Sequence, residues 1–291
     1  MTDTVVTEAA AQAVAEEVET VRPAVPKRGL GSRAGSAAVT ALPPIAVFIA
    51  LIGLWYALNA WVVRPEFLLP RPDQIIRDGF MDSTVRQQII DGVIQTTKVV
   101  VTGLVIAAAL GIGWAVAMSL ATWIQRSTYP YAVILQCIPI LAIVPLIGVW
   151  FGYEFKARVV VCVMIALFPM VSNTLFGLQS VERSQYELFQ LQRASRWTVL
   201  TKLMFPAALP SIFVGLRTSA GLSVVGAIVG DFFFQRGTPG VGALLQTYAR
   251  MLEYTSLFAA IFVSALLGVA MFGLFGLLSK LVVGRWYEPV R

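Results

Sequence analysis

The chain has 291 residues, of which 57% are hydrophobic and only 13% charged. Soluble domains carry about a quarter charged residues, so this deficit excludes an ordinary soluble globule. The net charge of +6 comes from Lys and Arg scattered between apolar runs, which excludes a nucleic-acid footprint and points to topology determinants.

The first residues, MTDTVVTEAAAQAVAEEVETV, lack a basic stretch followed by an apolar core, so they do not read as a secretory signal. With the basic Lys27, Arg28 and Arg33 behind them, residues 1–40 are expected to be a disordered cytoplasmic tail, and residues 41–291 a transmembrane domain. Six apolar spans follow, each at least the roughly 20 residues that cross a bilayer, the second long enough to tilt or to project beyond it. They are Leu42–Val63, Val93–Trp123, Tyr131–Phe151, Ala157–Leu178, Ile212–Phe234 and Leu257–Val283. An all-α integral membrane fold results, with both termini on one side.

The bias of basic residues in short loops places that side in the cytoplasm. Between the first two spans, Arg71–Gly92 is polar with spaced apolar residues and is expected to lie along the interface as short amphipathic helices. Trp55, Trp61, Trp123 and Trp150 fall near span ends, as an aromatic belt does. The middle spans contain Pro139, Pro145 and Pro169, which kink helices and mark either a gate or a packing bend. Small residues in ALGIGWAVAMS suit close helix approach. Cys137 and Cys162 lie in apolar runs and read as two small buried hydrophobes. With no histidine, a usual zinc site and His-dependent nucleophilic catalysis are both excluded.

The stretch ELFQLQRASRWTVLTKLMFPAALP, Glu187 to Pro210, breaks the apolar pattern. Ser184 and Glu187 fit the S-x-x-E capping box that starts a helix. Ser195 is placed to cap a second short helix through Lys202, and Pro206 and Pro210 are expected to end it. The loop is far longer than a join between spans needs, and a rigid charged helix pair over about 184–204 reads as a docking knob.

These residues carry a resemblance. The chain resembles the permease subunits of bacterial ABC importers, in the nitrate/sulfonate/taurine-like branch that includes thiamine-precursor transporters. That family has a cytoplasmic E-A-A-x-x-x-G motif, and here Glu187 matches its Glu, Ala194-Ser195 its continuation and FPAALPSIFVGLR its exit. PILAIVPLIGVWFG and FPMVSNTLFGLQSV are similar to the branch's third and fourth spans. Leu188 and Phe189 replace the two alanines, and Arg193 stands where the family has glycine, so Arg193 must take an ordinary conformation or bear strain.

The resemblance implies the type I importer permease fold and a non-catalytic subunit. It also implies a second permease copy and an extracytoplasmic substrate-binding protein. Separate ATPase subunits on the cytoplasmic side would hold ATP and Mg, and this chain would bind no cofactor itself. Glu187, Arg193, Ala194, Ser195 and Arg196 are the expected ATPase-coupling residues. Asp231, Arg217, Pro139, Pro145 and Asn173 are expected along the translocation path or its gates.

Each has a plainer alternative. Glu187 also serves as a capping carboxylate, Arg193 and Arg196 as positive-inside anchors, and Arg217 as a snorkelling side chain near the inner end of its span. Asp231, in VGAIVGDFFF, reaches interfacial water or pairs with Arg236. Gln95, Thr96, Thr97, Gln136, Ser172 and Thr174 complete the polar groups at depth. No G-x-x-x-x-G-K-[ST] phosphate loop occurs, so the chain is not its own motor. A secondary transporter or channel is the competing class; it calls for inverted repeats around a charged midplane site, and the sequence shows neither a repeat nor a buried charge pair. An intramembrane enzyme needs paired acids at depth, and Asp231 stands alone. The solute classes left open are small anions, sulfonates and nitrogen heterocycles such as a thiamine precursor.

Overall fold

A computed structural model describes residues 30–61 and 68–284, with side chains from residue 42 onward. Most of the expected tail, and Lys27, Arg28, Arg64 and Arg291, lie outside the described residues. The chain divides into two units, Met1–Leu58 and Asn59–Arg291. Helix α1 (Leu30–Trp61), all but its last three residues in the first unit, begins ten residues before the tail was expected to end. Its apolar stretch from Leu42 is long enough to cross a membrane.

The second unit is helical throughout its described length. A short helix α2 (Pro72–Gln74) continues as a π-helical turn, Ile75–Phe80. Helix α3 (Ser83–Leu120) has 38 residues, well beyond the roughly 20 that a bilayer requires. Residues 83–92 are therefore its first turns, and only α2 and its π turn remain of the expected interfacial helices. Asp82 starts α3: its carboxylate accepts from the amides of Thr84 at 2.8 Å and Val85 at 3.0 Å.

The expected third span is two helices, α4 (Thr122–Cys137) and α5 (Ile140–Phe151), bent by 99° at Ile138-Pro139. The cause is local. Pro139 has no N–H to continue the ladder and disfavours helical backbone at Ile138, whose ψ is 127°. Helix α6 (Phe155–Gln179) follows, then α7 (Arg183–Leu191) and α8 (Arg196–Val199). A π turn, Leu200–Met204, leads directly into α9 (Phe205–Phe233). Two helices complete the unit, α10 (Val241–Met251) and α11 (Tyr254–Val283). Among the described residues five helices are long and apolar enough to span a membrane, or six if the bent pair is one crossing.

The core is the trio α3, α6 and α9, and small residues set its spacing. Cys162 on α6 sits between two glycines: a Cβ added at Gly103 of α3 would strike its side chain, and one at Gly226 of α9 would lie 2.8 Å from its Cα. Helix backbones packed this closely gain van der Waals contact that lipid cannot match. Cys162 is fully buried, as expected, whereas Cys137 at the bend is exposed. Large apolar side chains such as Val105, Val149 and Leu266 face outward, as a bilayer solvent allows.

Candidate functional site

Two constructions stand at opposite ends of α9. The first is the α7–α8 knob. Helix α7 opens at Arg183 with Glu182 as an uncapped N-cap, so the expected Ser184–Glu187 capping box does not form. Glu187 instead accepts from Arg183 Nε at 2.8 Å, one turn back, and both side chains are exposed. The turn between the helices is tight. The Arg193 amide donates to the Gln190 carbonyl at 2.9 Å, and the Ala194 amide to that of Phe189 at 3.0 Å.

Arg193 has φ 51°, the left-handed conformation that the family's glycine would take at no cost. An arginine pays about 1–2 kcal/mol for it. The alternative of strain is the one realised. Ser195 caps α8 as expected, accepting from the Thr198 amide at 3.1 Å. Arg196 reaches away from the knob, donating to the Leu120 carbonyl at the end of α3 at 3.3 Å. The outward face of the knob carries Leu188, Leu191 and Trp197, of which Leu191 is 82% exposed.

Pro206 and Pro210 do not end the second helix. The π turn widens the backbone just before Pro206, where a normal turn would set its ring against the carbonyl four residues back, and α9 then runs on through Pro210. A helical segment thus extends unbroken from Arg196 to Phe233.

The second construction is at the C-terminal end of α9. Asp231 is wholly buried and pairs at 3.1 Å with Arg158 of α6, itself 3% exposed. Sequence reasoning offered Arg236 as the alternative partner and overlooked Arg158. It also found no buried charge pair, and that reading is corrected here. Each partner caps a helix. The Arg158 guanidinium donates to the carbonyl of Phe234, through Nη2 at 2.7 Å, and to those of Arg236 and Thr238 at 2.9 Å, closing the chain that leaves α9.

The Asp231 carboxylate lies at the start of α10, packed against Gly240 and Gly242 and accepting at 2.8 Å from the Thr96 hydroxyl. Thr96 in turn accepts from the Val241 amide at 2.9 Å. An acid at a helix N-terminus is favourably placed, and here it replaces the side-chain cap that Gly240 cannot provide. A Cβ at Gly240 would collide with this carboxylate. The signal in the sequence was an arginine in the apolar run ARVVVCVM, but nothing linked it to an acid 73 positions away (231 less 158).

The remaining path candidates are dispersed. Pro139 caps α5 at the bend and Pro145 lies within that helix. Asn173 donates to the Pro169 carbonyl of its own helix at 2.8 Å. Arg217 lies over the Phe272 ring of α11, 3.9 Å from its centroid, with Gly276 leaving it room. Among the described residues no hydrogen bond or ion pair joins any two of Pro139, Pro145, Asn173, Arg217 and Asp231. Nor do the described residues offer a group of three or more metal ligands.

The sequence profile of the binding-protein-dependent transport system inner membrane component matches residues 108–284. The chain belongs to that family. Its members are ABC importer permeases, multi-pass subunits of the inner membrane. The formylaminopyrimidine transport permease protein ThiX of Halalkalibacterium halodurans is 32% identical over 80% of this chain and 91% of its own length. The riboflavin transport system permease protein RibX of Chloroflexus aurantiacus is 28% identical over 84% and 89%. The crystal structure of an amino acid ABC transporter with histidines shares the fold, with a TM-score of 0.55 at 20% identity, covering 69% of this permease and 94% of that chain. A self-sufficient transporter is thereby set aside, and the buried pair found in the structure does not restore it: Arg158 and Asp231 are occupied in holding backbone at the C-terminal end of α9.

Proposed function

We propose that two copies of this permease form a translocation path, that each knob docks into a separate ATPase holding ATP and Mg, and that an extracytoplasmic binding protein delivers the solute. The knob and both termini then lie in the cytoplasm, and closure of the ATPases moves the α7–α8 pairs together to switch the path from inward- to outward-open. The observation that carries this reading is the geometry of the knob. Its exposed Leu188 and Leu191 on α7 and Trp197 on α8 form an apolar face that no other described residue buries, and α8 runs on without a break into α9. Such a face fits a cleft on a partner.

Nitrogen heterocycles are the solute class favoured, since a pyrimidine and a flavin name the transport systems of two similar permeases. The test is reconstitution in liposomes with the ATPase and binding protein. Leu191→Ser and Glu187→Ala are expected to abolish uptake and solute-stimulated ATP hydrolysis while membrane insertion persists. Solute movement by the permease alone, without an ATPase, would overturn the proposal.

A further inference from the structure

Arg193 is the cation at the apex of the knob, and its neighbours leave it alone there. Arg183 is taken by Glu187, and Arg196 is turned back onto the Leu120 carbonyl. Lys202 stands two turns further along, in the π turn. Among the described residues no carboxylate lies within ion-pair distance of the Arg193 guanidinium, and the side chain is exposed. The backbone beneath it holds a conformation that only glycine takes freely, fixed by bonds to Gln190 and Phe189 and by the Ser195 cap. Strain kept at an exposed turn, with a charge mounted on it, is the usual mark of a contact made outside the molecule.

Resting on the docking reading above, we infer that Arg193 is a partner-selecting contact. The ATPase cleft that receives this knob carries a carboxylate facing Arg193, beside the apolar surface that takes Leu188 and Leu191. Closing an apolar cleft around the pair removes water from it, so the charge match discriminates between ATPases far more than an open surface pair would. An ATPase with a neutral or basic group at that point docks poorly here.

The experiment uses the whole transporter in nanodiscs and follows dissociation of the ATPase subunits against salt concentration. Arg193→Gly removes the charge and relieves the turn, Arg193→Ala removes the charge and keeps the strain, and Arg193→Lys keeps both. Expected is about a tenfold loss of ATPase affinity in the glycine and alanine variants alike, with a flattened salt dependence, and near-normal binding with lysine. Wild-type affinity and salt dependence in Arg193→Gly would overturn the inference, whether or not alanine binds, because the charge would then be idle. Leu191→Ser separates this from the broader reading: if it alone abolishes docking, the knob still docks and only the Arg193 contact falls. If neither Leu191→Ser nor Arg193→Gly alters ATPase binding, docking through the knob falls as well.

Discussion

Removing Arg158 strikes the clasp between α9 and α10 at its centre. In Arg158→Ala the Asp231 carboxylate, with no exposed surface, loses its counter-charge, and the buried Phe234 carbonyl loses its donor. Breaking one side of a buried pair costs about 3–5 kcal/mol, and an unmatched buried carbonyl adds about 1–3. Asp231→Asn is milder. Its amide oxygen still accepts from Thr96, and Arg158 keeps three carbonyls, so about 1.5–3 kcal/mol is lost.

At about 2–4 °C per kcal/mol for a chain of this size, the apparent melting temperature of the purified transporter falls by about 10 °C or more for Arg158→Ala and about 5 °C for Asp231→Asn. Tryptophan fluorescence during a thermal ramp measures both. Because the two side chains act on one turn, the double variant loses less than the sum of the singles, by about 1.5 kcal/mol or more. Strict additivity, or an Arg158→Ala protein that melts with the wild type, would refute the double-cap account.

Gly240→Ala drives a methyl group into the Asp231 carboxylate and lowers the melting temperature about as far as Asp231→Asn, while Gly113→Ala, which meets open space, leaves it unchanged. The Asp82 carboxyl is held below its ordinary value by the amides of Val85 and Thr84. A carboxylate with a depressed folded-state pKa stabilises above its unfolded value and loses that contribution as pH falls through its lowered one. Amide protection at Thr84 and Val85 therefore declines below about pH 4 and is already reduced at neutral pH in Asp82→Ala, as hydrogen exchange reads out. In detergent, maleimide modifies one cysteine per chain: Cys137→Ser abolishes labelling and Cys162→Ser leaves it intact.

Most spans were legible because apolar length alone decides them, and the Ser195 cap because its chemistry is local. The failures share a physical origin. Proline at 139 broke a helix and proline at 206 did not, although both read alike; the difference is the π turn that opens the backbone before Pro206. The Ser184–Glu187 box failed because α7 begins two residues earlier, with Glu182 at the N-cap, and Arg183 offers Glu187 a stronger partner. Asp231 stood out by its depth, yet its role as a cap on α10 depends on Arg158 and Thr96, which come from two other helices. Contacts between distant segments leave no periodic trace in a sequence.

The join at Leu200–Met204 has a mechanical corollary. With no loop between α8 of the knob and the crossing helix, the 38 residues from Arg196 to Phe233 act as a crankshaft about 57 Å long at 1.5 Å per residue. Rocking it by about 10° sweeps one tip through roughly 10 Å relative to the other. On the docking reading proposed above, motion imposed at the knob would thus reach the other end of α9 through stiffness alone, where the ion-paired collar around Asp231 turns it into displacement of α10.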